Sequence, residues 1–218
     1  MATIRFIRNA FLTILLGVTL AMCSRRPDPV EYNGYTYIDL GLPSGTKWAT
    51  CNLGAASPED YGDYYSWSET RPHNENTLNE GLWHENELGI LRRHGAIDEN
   101  ENLTAGYDAA TANWGGKWRM PTRAEFEELR RECTTEAHED YVLFTGPNGN
   151  SIILPFAGLK EQSIFRLTYD IIGGRIGHYW TSSADNWHHL SCYYYALKSH
   201  DICKSSSHMG YSVRPVCD

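Results

Sequence analysis

Pro121-Thr122 followed by Glu125 forms a T-x-x-E capping box, and behind it Phe126, Leu129 and Cys133 recur at helical spacing. This is the clearest helix signal in a chain of 218 residues, and it predicts a helix over Arg123 to Cys133 with one apolar face. The segments around it alternate like strands. Tyr35 to Leu40 and Thr46 to Cys51 flank the turn Pro43-Ser44-Gly45, and Tyr141 to Thr145 and Ser151 to Pro155 flank Gly146-Pro147-Asn148-Gly149-Asn150, so each pair predicts a hairpin. Further strands are expected at His178 to Ser182, Ser191 to Leu197 and Ser212 to Cys217. Many short strands with one strong helix specify a mixed α+β domain over residues 34–218, the helix packing through Phe126 and Leu129. The stretch from about 71 to 106 is polar, with a weak helical patch near Glu87 to Arg93, and is read as an insertion.

Composition narrows the class. Hydrophobic residues make up 41% and charged residues 21%, which excludes a disordered polymer and a polytopic membrane protein. A net charge of -8, with no basic run after the leader, argues against a nucleic-acid partner. The acidity is uneven: 19 acids against 8 bases lie between Glu59 and Asp140, whereas three of each follow from Asp185 onward. The C-terminal segment is a neutral face on an acidic body.

Residues 1–22 read as a signal peptide: Arg5 and Arg8 precede an apolar stretch, Phe11 to Met22, too short to span a bilayer comfortably. Leu20-Ala21-Met22-Cys23 resembles a lipobox, which would make Cys23 a diacylated N-terminus. Met22 stands where a small residue is usual, so plain secretion and an uncleaved anchor remain alternatives. Residues 23–33, with Pro27 and Pro29, form a tether. Export would favour some disulfide pairing among Cys51, Cys133 and Cys217.

Several longer runs carry a family resemblance: Asp39-Leu40-Gly41-Leu42-Pro43-Ser44-Gly45-Thr46-Lys47-Trp48-Ala49-Thr50-Cys51-Asn52, Asn113-Trp114-Gly115-Gly116-Lys117-Trp118-Arg119-Met120-Pro121-Thr122, Thr145-Gly146-Pro147-Asn148-Gly149-Asn150-Ser151, Tyr179-Trp180-Thr181-Ser182-Ser183 and Ser212-Val213-Arg214-Pro215-Val216-Cys217. Together they resemble the FISUMP, or major paralogous, domain of surface and secreted Bacteroidetes proteins. The resemblance implies a single C-type-lectin-like domain, related to the formylglycine-generating enzymes, with its N- and C-terminal strands close together. It does not imply a ligand, because one fold hosts many functions.

Catalytic and metal readings find little support. Cys192 and Cys203 are 11 positions apart, unlike the close pair with which formylglycine-generating relatives bind copper. His188, His189, His200, Cys203 and His208 lack paired zinc-ligand spacing. The Glu-Pro-Asn or Gln-Pro-Asp loop of calcium-dependent lectins is missing: Pro147-Asn148 follows Gly146, and Asp185-Asn186-Trp187 reverses the order of their Trp-Asn-Asp strand. No cofactor, metal or enzymatic activity is expected.

The segment from Asp185 to Tyr211 stands apart. Of its 27 positions, 18 are Asn, Asp, His, Tyr, Ser or Cys, against 41 of 151 from Gly34 to Ala184. Each of these six types has a codon reachable from AAC by changing only adenines, which is the mark of a diversity-generating retroelement. Such elements target C-terminal lectin-like surfaces. The same residue types also serve an ordinary invariant recognition surface, where Tyr supplies rigid area and Ser and Asn adaptable hydrogen bonds. Both readings place ligand binding on Asp185, Asn186, Trp187, His188, His189, Ser191, Tyr193, Tyr194, Tyr195, Ser199, His200, Asp201, Ser205, Ser206, Ser207, His208 and Tyr211. Trp187 and the Tyr193 to Tyr195 cluster are the expected anchors, some of these Tyr facing the core because strand neighbours alternate sides. The expectation is a monomer, surface-displayed or secreted, that binds a protein or glycan and meets a membrane only through a lipid on Cys23.

Overall fold

The β2–β3 hairpin, Tyr35–Asp39 with Lys47–Ala49, forms as its turn chemistry predicts, with Ile38 opposite Trp48. The computed structural model describes residues 28–73, 88–161, 164–166, 175–185 and 191–218, with backbone alone at 161, 164–166 and 191–194. The leader and the first part of the tether, 23–27 with Cys23, lie outside the described residues, as does 74–87 of the polar stretch; within the rest of the expected tether, Val30–Tyr32 is a strand. Strand β1 (Val30–Tyr32) joins the outer edge of β2, and β14 (Val216–Cys217) pairs with β3, giving a sheet in the order β1-β2-β3-β14. The two ends of the domain thus share one sheet.

A second sheet holds β4 (Tyr64–Tyr65), β10 (His178–Ala184), β11 (Ser191–Ala196), β12 (Asp201–Ser206) and β13 (Tyr211–Ser212) in the order β12-β11-β10-β13-β4. A three-stranded meander of β5 (Thr134–Ala137), β6 (Tyr141–Thr145) and β7 (Ser151–Pro155) and a pair, β8 (Leu159–Glu161) with β9 (Ile164–Arg166), complete the strands. The helices are α1 (Leu88–Arg93), α2 (Ala109–Trp114) and α3 (Arg123–Glu132). This is a mixed α+β body. Among the described residues no helix is long and apolar enough to cross a membrane.

Helix α3 starts where the capping box places it: Glu125 N donates to Thr122 Oγ1 at 3.2 Å, and Thr122 N donates to Glu125 Oε2 at 2.7 Å. Its buried face, Phe126 and Leu129, enters a core with Trp48, Phe144, Leu154, Tyr179 and Tyr195. The second core gathers Trp67, Trp114, Trp118, Trp180 and Tyr211. Consecutive residues Tyr179 and Trp180 of β10 enter different cores, because strand neighbours point to opposite faces. β10 is the wall between them.

Three expectations change. The predicted strand Ser212 to Cys217 splits into β13 and β14, which belong to different sheets. Between them Pro215 lacks an N–H, and Arg214 turns inward, fully buried, to donate to Asn52 Oδ1 at 2.9 Å and to the carbonyls of Ala49, Thr50 and Ile153 at 2.9, 2.6 and 3.0 Å. The part of the polar stretch that is described also does more than loop over the surface. Leu91, Ala96, Ile97 and Leu103 are buried in the second core, with Ile97 bridged to Leu103. Finally, Cys51, Cys133 and Cys217 are free thiols, as is Cys203. Cys133 and Cys217 belong to different cores, and burial pushes the Cys133 thiol up to about 11.

Candidate functional site

Register decides which residues of the β10–β11–β12 sheet can meet a ligand. Tyr179, Tyr195 and Ile202 lie side by side across the three strands, as do Trp180, Tyr194 and Cys203 on the opposite face. Tyr195 therefore faces α3. It is fully buried, its ring stacks on Phe126 at 4.9 Å, and its hydroxyl lies 2.8 Å from His200 Nδ1. Burial drives its phenol well above the ordinary range. His200 closes the β11–β12 turn with φ 55°, a left-handed conformation, and burial, reinforced by Arg130, lowers its pKa against the opposing pull of Asp201. Arg130 of α3 approaches the His200 carbonyl at 3.3 Å and Asp201 at 3.4 Å.

Three further predicted site residues face inward or are held. Ser207 is buried, and its carbonyl accepts from Trp67 N at 2.8 Å. Tyr211 is buried against Trp180 at 4.3 Å between ring centroids, and its hydroxyl lies 2.7 Å from half-buried Ser205 Oγ. Tyr195, Ser207 and Tyr211 are thus core residues and present no side chain to a ligand. The composition of the segment does not distinguish them, because Tyr and Ser serve cores and surfaces alike.

What reaches solvent is a short list along the edge strand and its flanks. Among the described residues of the segment, Lys198, Ser199, Asp201, Lys204, Ser206 and His208 are exposed, and Ser206 Oγ lies 2.7 Å from His208 Nδ1. Asp185 pairs with Lys204 at 2.7 Å, tying the end of β10 to the edge strand. At the other end, Gly210 and Lys160 exchange two backbone hydrogen bonds of 2.8 Å, which fixes the exit of the segment onto β8. Asn186, Trp187, His188 and His189 lie outside the described residues; Ser191, Cys192, Tyr193 and Tyr194 are placed on β11 by backbone alone.

Among the described residues no three His, Cys, Asp or Glu side chains converge to hold a metal. Arg214 and Asn52, which organise the interior beneath the site, were not among the predicted residues. An arginine inside the apolar run Ser212-Val213-Arg214-Pro215-Val216 was the available signal. No protein-family model, curated protein or solved structure matches the chain.

Proposed function

We propose that the protein is a non-catalytic binding protein of the FISUMP, C-type-lectin-like kind, displayed at a cell surface through a lipid on Cys23 or secreted, which recognises a protein or glycan through its 185–211 segment. The observation that carries this reading is the partition within that segment. Tyr195, Ser207 and Tyr211 lock the hairpin into the two cores, while Ser199, Asp201, Lys204, Ser206 and His208 stand on its exposed edge. Such a backbone tolerates change at its exposed positions, where substitutions usually alter stability by no more than about 0.5 kcal/mol. This suits a surface diversified by a retroelement.

The invariant alternative has its own support: buried Tyr195 and Tyr211, with their partners His200 and Ser205, are positions that random substitution would damage. Sequencing the gene's flanks decides between them. The retroelement reading expects a nearby near-repeat carrying AAC at the substituted codons, codons ending in C at those positions, and an adjacent reverse-transcriptase gene. If both repeat and reverse transcriptase are missing, diversification is rejected and the invariant binding module stands.

A further inference from the structure

Where β10 ends, Ser183 and Asp185 form one wall of a cleft of about 370 Å³. The opposite walls are the loop 100–102 and the first turns of α3, with Arg123 and Glu127. These elements come from three separate stretches of sequence, two of them outside the 185–211 segment.

The charges around the cleft are already matched. Glu101 pairs with Arg92 at 2.8 Å, Glu127 with Arg123 at 2.7 Å, and Asp185 with Lys204 at 2.7 Å. A charged ligand gains a partner here only by taking one from an existing pair, and a cation finds no free carboxylate among these three. Uncharged hydrogen-bonding groups fill the space between. Ser183 Oγ accepts from Arg123 N at 3.0 Å and donates to Asn102 Oδ1 at 2.6 Å, which orients the Asn102 amide. That amide's Nδ2 has no partner among the described residues, and the Asn100 side chain is likewise unengaged. The paired carboxylates of Glu101 and Glu127 keep further lone pairs as acceptors.

The loop itself is held. Asp98 Oδ1 accepts from Asn100 N at 2.8 Å and Asn102 N at 2.9 Å, and Ala184 N donates to the Glu101 carbonyl at 2.8 Å. The cleft wall is therefore set before a ligand arrives, which removes an ordering cost from binding.

We infer that this cleft is a subsite for a neutral polyhydroxylated ligand, one or two residues of an uncharged glycan, bound without a metal ion. Sugar hydroxyls both donate and accept, so they match open amides set among paired carboxylates. The inference rests on the ligand-binding reading and extends its surface from the β11–β12 edge onto the 100–102 loop and α3.

The test is binding of the full chain to an immobilised panel of neutral gluco-, galacto- and manno-configured oligosaccharides beside their sialylated and sulfated counterparts, with and without EDTA. Retention of neutral glycans in EDTA is expected, weakened about tenfold or more by Asn102→Asp and by Asn100→Asp. Asn102→Asp keeps the oxygen that accepts from Ser183 and replaces only the amide donor, and unchanged thermal unfolding confirms that each variant is folded. Binding that ignores both variants but is lost in Ser206→Ala or His208→Ala overturns the cleft and leaves the binding-protein reading intact. A preference for the acidic glycans, loss of binding in EDTA, or retention of no glycan at all also overturns the inference.

Discussion

Ser68 is held at φ 70° between Trp67 and Glu69, a left-handed backbone that costs any residue with a Cβ about 1–2 kcal/mol. Its hydroxyl is buried and has no hydrogen-bond partner among the described residues. Glycine adopts this conformation freely and removes the stranded hydroxyl, at the cost of a more flexible unfolded chain. Ser68→Gly should therefore stabilise the protein by about 1 kcal/mol net, read as a higher urea midpoint with an unchanged slope. His178 offers a second residue-scale outcome. Burial lowers its pKa to about 4, and its ring meets Tyr211 edge-on at 4.9 Å. Below pH 6.5 the unfolded chain takes up a proton that the folded chain refuses until about pH 4. This stability is thus full above pH 6.5 and falls as the pH drops to about 4, by about 3 kcal/mol at most. His178→Phe should flatten that part of a stability–pH profile; an identical wild-type and variant profile between pH 7 and 4 would show that His178 is protonated freely in the folded state.

At the scale of elements, α3 and the β11–β12 hairpin form one packed unit, joined by the Phe126–Tyr195 stack and by Arg130 across the turn. Burial predicts two classes of hairpin variant. Tyr195→Ala removes a buried ring from the α3 interface and should cost about 3–5 kcal/mol. Ser206→Tyr and His208→Ser alter exposed positions and should each stay within about 0.5 kcal/mol. Denaturant unfolding of the three variants checks the contrast, and comparable losses at Ser206 or His208 would contradict a tolerant binding edge. Only the first strand of the hairpin was legible, because β11 has strand composition; β12, Asp201–Ser206, was not among the expected strands, since its polar run carries no apolar alternation. That some of Tyr193 to Tyr195 face the core followed from alternation, but placing Tyr195 inward required the register against Tyr179.

The whole molecule depends on contacts between distant segments. Arg214 joins the crossing between β13 and β14 to Asn52, to the end of β3 and to β7, so one side chain links both ends of the domain to its middle. The sequence alone determined what depends on near neighbours: the capping box and apolar face of α3, the hairpins β2–β3 and β6–β7, and the α+β class. Spacing and turn chemistry act over a few residues, and those are written consecutively. Tertiary structure alone decided that 212–217 divides between two sheets, that Leu91 and Ile97 belong to the core, that Tyr195, Ser207 and Tyr211 leave the surface, and that Asn100, Asn102 and Ser183 meet in one cleft. Each of these depends on the register and packing of segments far apart in the chain. A side chain's composition and local period do not encode which partner will cover it.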